Sequence, residues 1–172
     1  FKAYKLACPY GPADGLDGLA KNEAFVARVR DQIGDDCELM LDCWMAFDVD
    51  YTVRLAERLR PYKLKWMEEC LLSEDFDAHI ELRQRLPWQT LTTGEHWYTH
   101  VPFQWALKHN VADILQPDIN WCGGLTTCLK ITAAAEASGK SVMLHGGGRN
   151  PYGQHFSYAM SAVPWLEYFI GS

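Results

Sequence analysis

Three acidic residues, Asp42, Glu68 and Glu95, recur along this chain at intervals of 26 and 27 residues. Each closes a short, mostly apolar run: 38–42 (ELMLD), 63–68 (KLKWME) and 89–95 (QTLTTGE). The same beat continues to Asp118 (DILQPD) and to His145 (SVMLH). Three carboxylates brought together bare would repel one another. A bound cation removes that cost, and an all-oxygen donor set selects Mg2+, with Mn2+ as second choice. Taken singly, an acid at a strand end is as readily a helix N-cap or a loop residue. His145 adds a different chemistry. Histidine titrates near neutrality, so His145 is a candidate acid/base, and Asp118 is a candidate partner to orient it and raise its pKa. His96, beside Glu95, is a weaker candidate for the site. Glu69 competes with Glu68 for the ligand role, but strand alternation turns it toward the helices, which favours Glu68.

A period of about 25 residues is one strand, one loop and one crossover helix. A polar residue once per period, always at the C-terminal end of a strand, is how a parallel β/α barrel builds an active site. The patterning predicts strands at 1–8, 38–43, 64–68, 90–94, 114–116, 142–145 and 166–170. Helices are expected at 18–33, 50–59, 75–86, 102–109, 124–138 and 154–162, with Asp17 as a candidate N-cap and Gly34 as a stop for the first. A Gly-rich loop is expected over 146–153. Strand and helix alternate with no long linker, so the fold class is α/β with a parallel sheet. Within each strand Met40 pairs with Asp42 on one face, Trp66 with Glu68, Thr93 with Glu95 and Met143 with His145.

Composition narrows the partners. The 172 residues are 48% hydrophobic and 13% aromatic, enough for a sizeable core, and the net charge is −6 with no basic stripe. Nucleic acid is therefore not an expected partner. No apolar run approaches the roughly 18 residues needed to span a bilayer, and neither a signal-peptide pattern nor an N-x-[ST] sequon occurs within these residues. The six cysteines form no CxxC pair, and they are expected to be reduced, mostly buried thiols of a cytoplasmic protein. The chain opens on Phe1 inside an expected strand. At the observed period it supplies roughly seven of eight barrel units, so it is expected to be part of a longer protein.

LMLDCWM around Asp42, KWMEEC around Glu68, TTGEH around Glu95, QPDINWCGGLTT around Asp118 and LHG around His145 together resemble the enolase superfamily. The likeness is to its mandelate-racemase-like branch and, within that, to the L-rhamnonate dehydratase family of acid-sugar dehydratases. It runs over nearly the whole chain. It implies a TIM-type modified (β/α)7β barrel, incomplete here. Residues 1–172 would be one partial C-terminal domain without the α+β capping domain. It also implies Mg2+ (or Mn2+) held by Asp42, Glu68 and Glu95, a His145–Asp118 dyad, and Glu167 (PWLEYF) contacting the substrate carboxylate. His96 and Lys5 are further candidates, as substrate-binding residues. The implied reaction is removal of the C2 proton and the 3-hydroxyl of a small sugar acid, by a lyase expected to be a homo-oligomer.

The chain also departs from that pattern. Many relatives carry a Lys-x-Lys pair at the end of the second barrel strand; only Lys2 and Lys5 are near it here, with the wrong spacing. That weakens a racemase or epimerase reading, which needs bases on both faces. The run Gly146–Gly148 is richer in glycine than the resemblance leads one to expect. HGGG at 145–148 would suit an esterase oxyanion loop, but no G-x-S-x-G elbow occurs. A glycosidase would use two barrel-end acids and leave the third unexplained. A catalytically silent barrel is the remaining alternative.

Overall fold

The computed structural model describes residues 1–170. The chain divides into two compact units, Phe1–Leu91 and Thr92 onward.

In the first unit, β1 (Ala3–Ala7), β2 (Glu38–Asp42) and β3 (Trp66–Glu68) run parallel and side by side. The pairing sets Ala7 opposite Asp42 and Asp42 opposite Glu68. Alternation divides the strands cleanly. Leu39, Leu41 and Met67 join the apolar core with Leu19, Val26, Leu55, Leu59, Leu82 and Leu86. Lys5, Met40, Asp42, Trp66 and Glu68 fall on the opposite face by the period of two. Three helices cover the core side: α1 (Gly15–Ile33), α2 (Val49–Leu59) and α3 (Phe76–Arg85). α2 buries Tyr51, Thr52, Leu55, Ala56 and Leu59, one stripe at helical spacing. The Asp48 carboxylate caps it by accepting from the Tyr51 N–H (2.7 Å), and Asp75 caps α3 through Ala78 (3.1 Å).

α1 begins three residues before its expected start. Asp17 is not the cap: it sits in the first turn and pairs with Lys21 (2.6 Å, i,i+4). Asp14 takes the N-cap position, its carboxylate accepting from the Gly11 N–H (2.9 Å). Gly34 ends the helix as expected, at φ 73, where a side chain would be strained. Near that end, Arg30 is 8% exposed. Its guanidinium donates to the carbonyls of Gly34 (2.9 Å), Cys37 (2.6 Å), Tyr62 (3.0 Å) and Lys63 (3.3 Å), in the loops that feed β2 and β3.

In the second unit, β4 (Leu91–Thr93, its first residue the last of the first unit), β5 (Ile114–Leu115) and β6 (Ser141–Val142) are again parallel, in chain order. Their helices are α4 (Val101–His109), α5 (Gly124–Ala137) and α6 (Pro151–Ala159). α6 starts three residues before its expected start, because Asn150 caps it by accepting from the Gly153 N–H (2.8 Å) and Pro151 suits the first turn. The strand expected at 166–170 is not formed. The Glu167 carbonyl instead accepts from the Gly148 N–H of the preceding loop (2.8 Å).

All six cysteines are free; Cys43, Cys70, Cys122 and Cys128 are buried, and Cys8 and Cys37 partly so. Burial pushes the Cys8 thiol up to about 12, which keeps it protonated and inert. Among the described residues, no helix is long and apolar enough to cross a membrane.

Candidate active site

The first unit gathers three of the expected residues. Asp42 and Glu68 are the last residues of paired strands, and Lys5 reaches them from β1 on the same face. The Lys5 ammonium lies 2.5 Å from Glu68 Oε1 and 3.3 Å from Asp42 Oδ2. Glu68 has no exposed side-chain surface, and its second oxygen accepts from the Trp66 indole N–H (3.0 Å). Trp66 is fully buried two residues earlier on the same face, so it fixes the carboxylate's rotation. The Trp44 N–H donates to Asp42 Oδ1 (3.1 Å). Two carboxylates face one ammonium, an oxygen-only set with negative charge to spare. That fits a hard divalent cation. Glu69 is also buried, but its φ of 42 breaks the strand, so alternation does not settle where it points.

The second unit gathers the others. His145 follows β6 by three residues and Asp118 follows β5 by three, so the parallel register sets them side by side. The Asp118 Oδ2 to His145 Nδ1 distance is 2.9 Å, and His145 Nε2 lies 3.2 Å from Glu95 Oε1. Burial disfavours the imidazolium, but the Asp118 hydrogen bond and the charges of Glu95 and Glu167 outweigh it and hold His145 above its ordinary value. Burial would likewise raise Asp118. The bonds from His145 and from the Asn120 N–H (2.6 Å) win, and its pKa is lowered. The dyad thus fixes Nδ1 on Asp118 and turns Nε2 to the Glu95 side.

Glu167 Oε2 accepts from the Gly146 N–H (2.6 Å), the residue next to His145. The rings of His96 and Trp121 lie 5.7 Å apart, those of Trp121 and His145 5.4 Å, and Phe169 meets His145 edge-on at 6.0 Å. Trp121 and Phe169 were not singled out by sequence reasoning. Both sit in irregular backbone, where no period reveals which way a side chain points. Trp66 had a signal, its i, i+2 spacing from Glu68.

Parallel strands that end in acids, followed by a histidine–aspartate dyad, define a class, and the chain belongs to it: all 172 residues match the Enolase C-terminal domain-like family. Within that family it is 43% identical over 171 residues to an L-rhamnonate dehydratase of Saccharopolyspora erythraea, covering 99% of this chain and 43% of that protein. The crystal structure of rhamnonate dehydratase from Gibberella zeae complexed with Mg superposes with a TM-score of 0.93 at 36% identity, covering 98% of this chain and 41% of that one. A racemase from Streptomyces coelicolor A3(2) with bound magnesium gives a TM-score of 0.87 at 27% identity, covering 98% and 48%. The chain thus spans less than half the length of these relatives.

Proposed function

We infer that this chain carries the proton-transfer and metal-binding residues of a Mg2+-dependent acid-sugar dehydratase acting on L-rhamnonate or a closely similar aldonic acid. The observation that carries the reading is His145, held by Asp118 through Nδ1 and presenting Nε2 beside Glu95. Such an imidazole is built to take a proton at Nε2 and give it back. The identity to L-rhamnonate dehydratase supports the choice of substrate class.

Asp42, Glu68 and Glu95 are the residues that would hold the metal. When bound, Mg2+ supplies electrostatic stabilisation to negative charge building up on the substrate's carboxylate. His145 Nε2 takes the proton from carbon 2, and the electron pair of that bond moves toward the carboxylate. Asp118 keeps the resulting imidazolium oriented. Glu167, beside the loop that follows His145, contacts the carboxylate end of the substrate. The bond from carbon 3 to its hydroxyl then breaks, and the hydroxyl leaves as water with the proton carried by His145. The enol left behind tautomerises to a 2-keto-3-deoxy acid. One base suffices for this sequence. A racemase would need a second on the other face, and Lys5 is engaged with Asp42 and Glu68.

The test is a screen of acid sugars with the full-length protein, read as 2-keto-3-deoxy products. L-rhamnonate is expected to be converted in a Mg2+-dependent way; conversion that persists under EDTA, or a racemised product in place of a keto acid, would overturn the reading.

A further inference from the structure

The glycine run after His145 has no role in the proton transfer, yet its geometry is specific. A Cβ on Gly148 would collide with the Glu167 carbonyl and crowd Tyr168. One on Gly147 would press on Leu144 and Leu166, and one on Gly153 would collide with Gly147. Only glycine lets the loop lie directly against 166–169, where the Gly148 N–H bonds the Glu167 carbonyl. The next residue is Arg149. Its guanidinium lies over the Phe169 ring at 4.7 Å, and that ring meets His145 edge-on at 6.0 Å. Gly148, Arg149, Tyr168 and Phe169 line an open pocket of about 250 Å3.

We propose that this pocket is the subsite for the distal end of the sugar acid, the carbons beyond C3, and that Arg149 is a specificity-determining residue. The proposal rests on the acid-sugar reading above. A polyhydroxy chain has hydroxyl oxygens on one side and a C–H face on the other. A guanidinium offers several fixed donors to the oxygens, and the Phe169 and Tyr168 rings suit the C–H face. The Phe169 ring touches both the base and the guanidinium. A substrate with carbon 2 at His145 would therefore run its far end past Phe169 toward Arg149. The contact with Phe169 holds the guanidinium near the ring before the substrate arrives, so less order is lost on binding.

The experiment uses the full-length protein and aldonic acids that share stereochemistry through C3 but differ beyond it: a six-carbon acid with a terminal methyl, its terminally hydroxylated congener, and an acid ending at C4. Loss of a charged donor to a hydroxyl is expected to raise KM about tenfold. In Arg149→Met that rise should appear for the two six-carbon acids relative to the four-carbon one, with kcat changed far less, and Arg149→Lys should recover part of it. Equal loss on long and short acids would overturn the subsite. So would an unchanged ratio. A wild-type protein that dehydrates none of the acids would instead overturn the parent reading, and that result is seen before any variant is made.

Discussion

The two units solve the same electrostatic problem with different side chains. In the first, a lysine ammonium faces Asp42 and Glu68; in the second, the His145 imidazole faces Asp118 and Glu95. Each places one basic side chain among carboxylates at the C-terminal ends of parallel strands. The difference lies in titration. A lysine ordinarily keeps its proton well beyond neutrality, whereas histidine changes charge within reach of it. The first arrangement holds charge; the second can pass a proton.

Removing the metal is the harshest way to break that contrast. EDTA is expected to bring dehydration to background and excess Mg2+ to restore it; residual activity at saturating chelator would mean that the carboxylates do not serve a cation. Next comes the base. His145→Asn should lower kcat on the order of 10³-fold while Mg2+ binding, read by titration calorimetry, persists. A variant that loses both would merge the two roles that the comparison separates.

Asp118→Asn sharpens the second half through pH. A base works deprotonated, so kcat/KM should rise with pH through a midpoint above 6.5, the ordinary value from which His145 is raised. Removing the Asp118 charge removes a raising influence, so the acidic limb should move down in pH while kcat falls about 10–100-fold. A limb that stays in place would assign it to another group. The linkage for stability has the matching sign. The His145 contribution is full below 6.5 and fades as pH rises through its raised value. The Asp118 contribution is present above 3.8 and fades as pH falls through its lowered one.

Trp66→Phe tests the first half more gently. It deletes the indole N–H that bonds Glu68, and loss of such a supporting bond typically weakens metal affinity about 10–100-fold. His145 chemistry at saturating Mg2+ should change far less. The smallest effect is expected away from both sets: Asp48→Ala removes the α2 cap and should cost about 1 kcal/mol of stability by denaturant melting, with kinetics unaltered.

Where side chains alternate, the site was legible in the sequence. Asp42 and Glu68 sit where a period of two puts them, because β2 and β3 are real strands with one face in the apolar core. His145 and Asp118 were legible as a pair because equal distances from the ends of β5 and β6 survive in a parallel register. What escaped lies in irregular backbone. The expected strand at 166–170 would have buried alternate residues, whereas the chain there takes its partners from a glycine loop and brings Phe169 against His145. Trp121 reaches His145 from a turn, where no spacing rule applies. The early starts of α1 and α6 have local origins: a 3-10 turn over Pro12–Asp14 runs straight into α1, and the Asn150 cap outweighed the first visible apolar stripe of α6.

The four carbonyls gathered by Arg30 lie at the entrances of β2 and β3, opposite the ends that carry Asp42 and Glu68. One rigid fork therefore clamps the places where those strands begin, and the ammonium of a lysine could not span the same four acceptors. That clamp sits at the end of the strands opposite the candidate site residues. The loops at the other end, which hold the helix caps Asp48 and Asp75, lie outside that clamp. The grip on the strands, which Arg30 supplies, is thus kept apart from the rim that carries the candidate site.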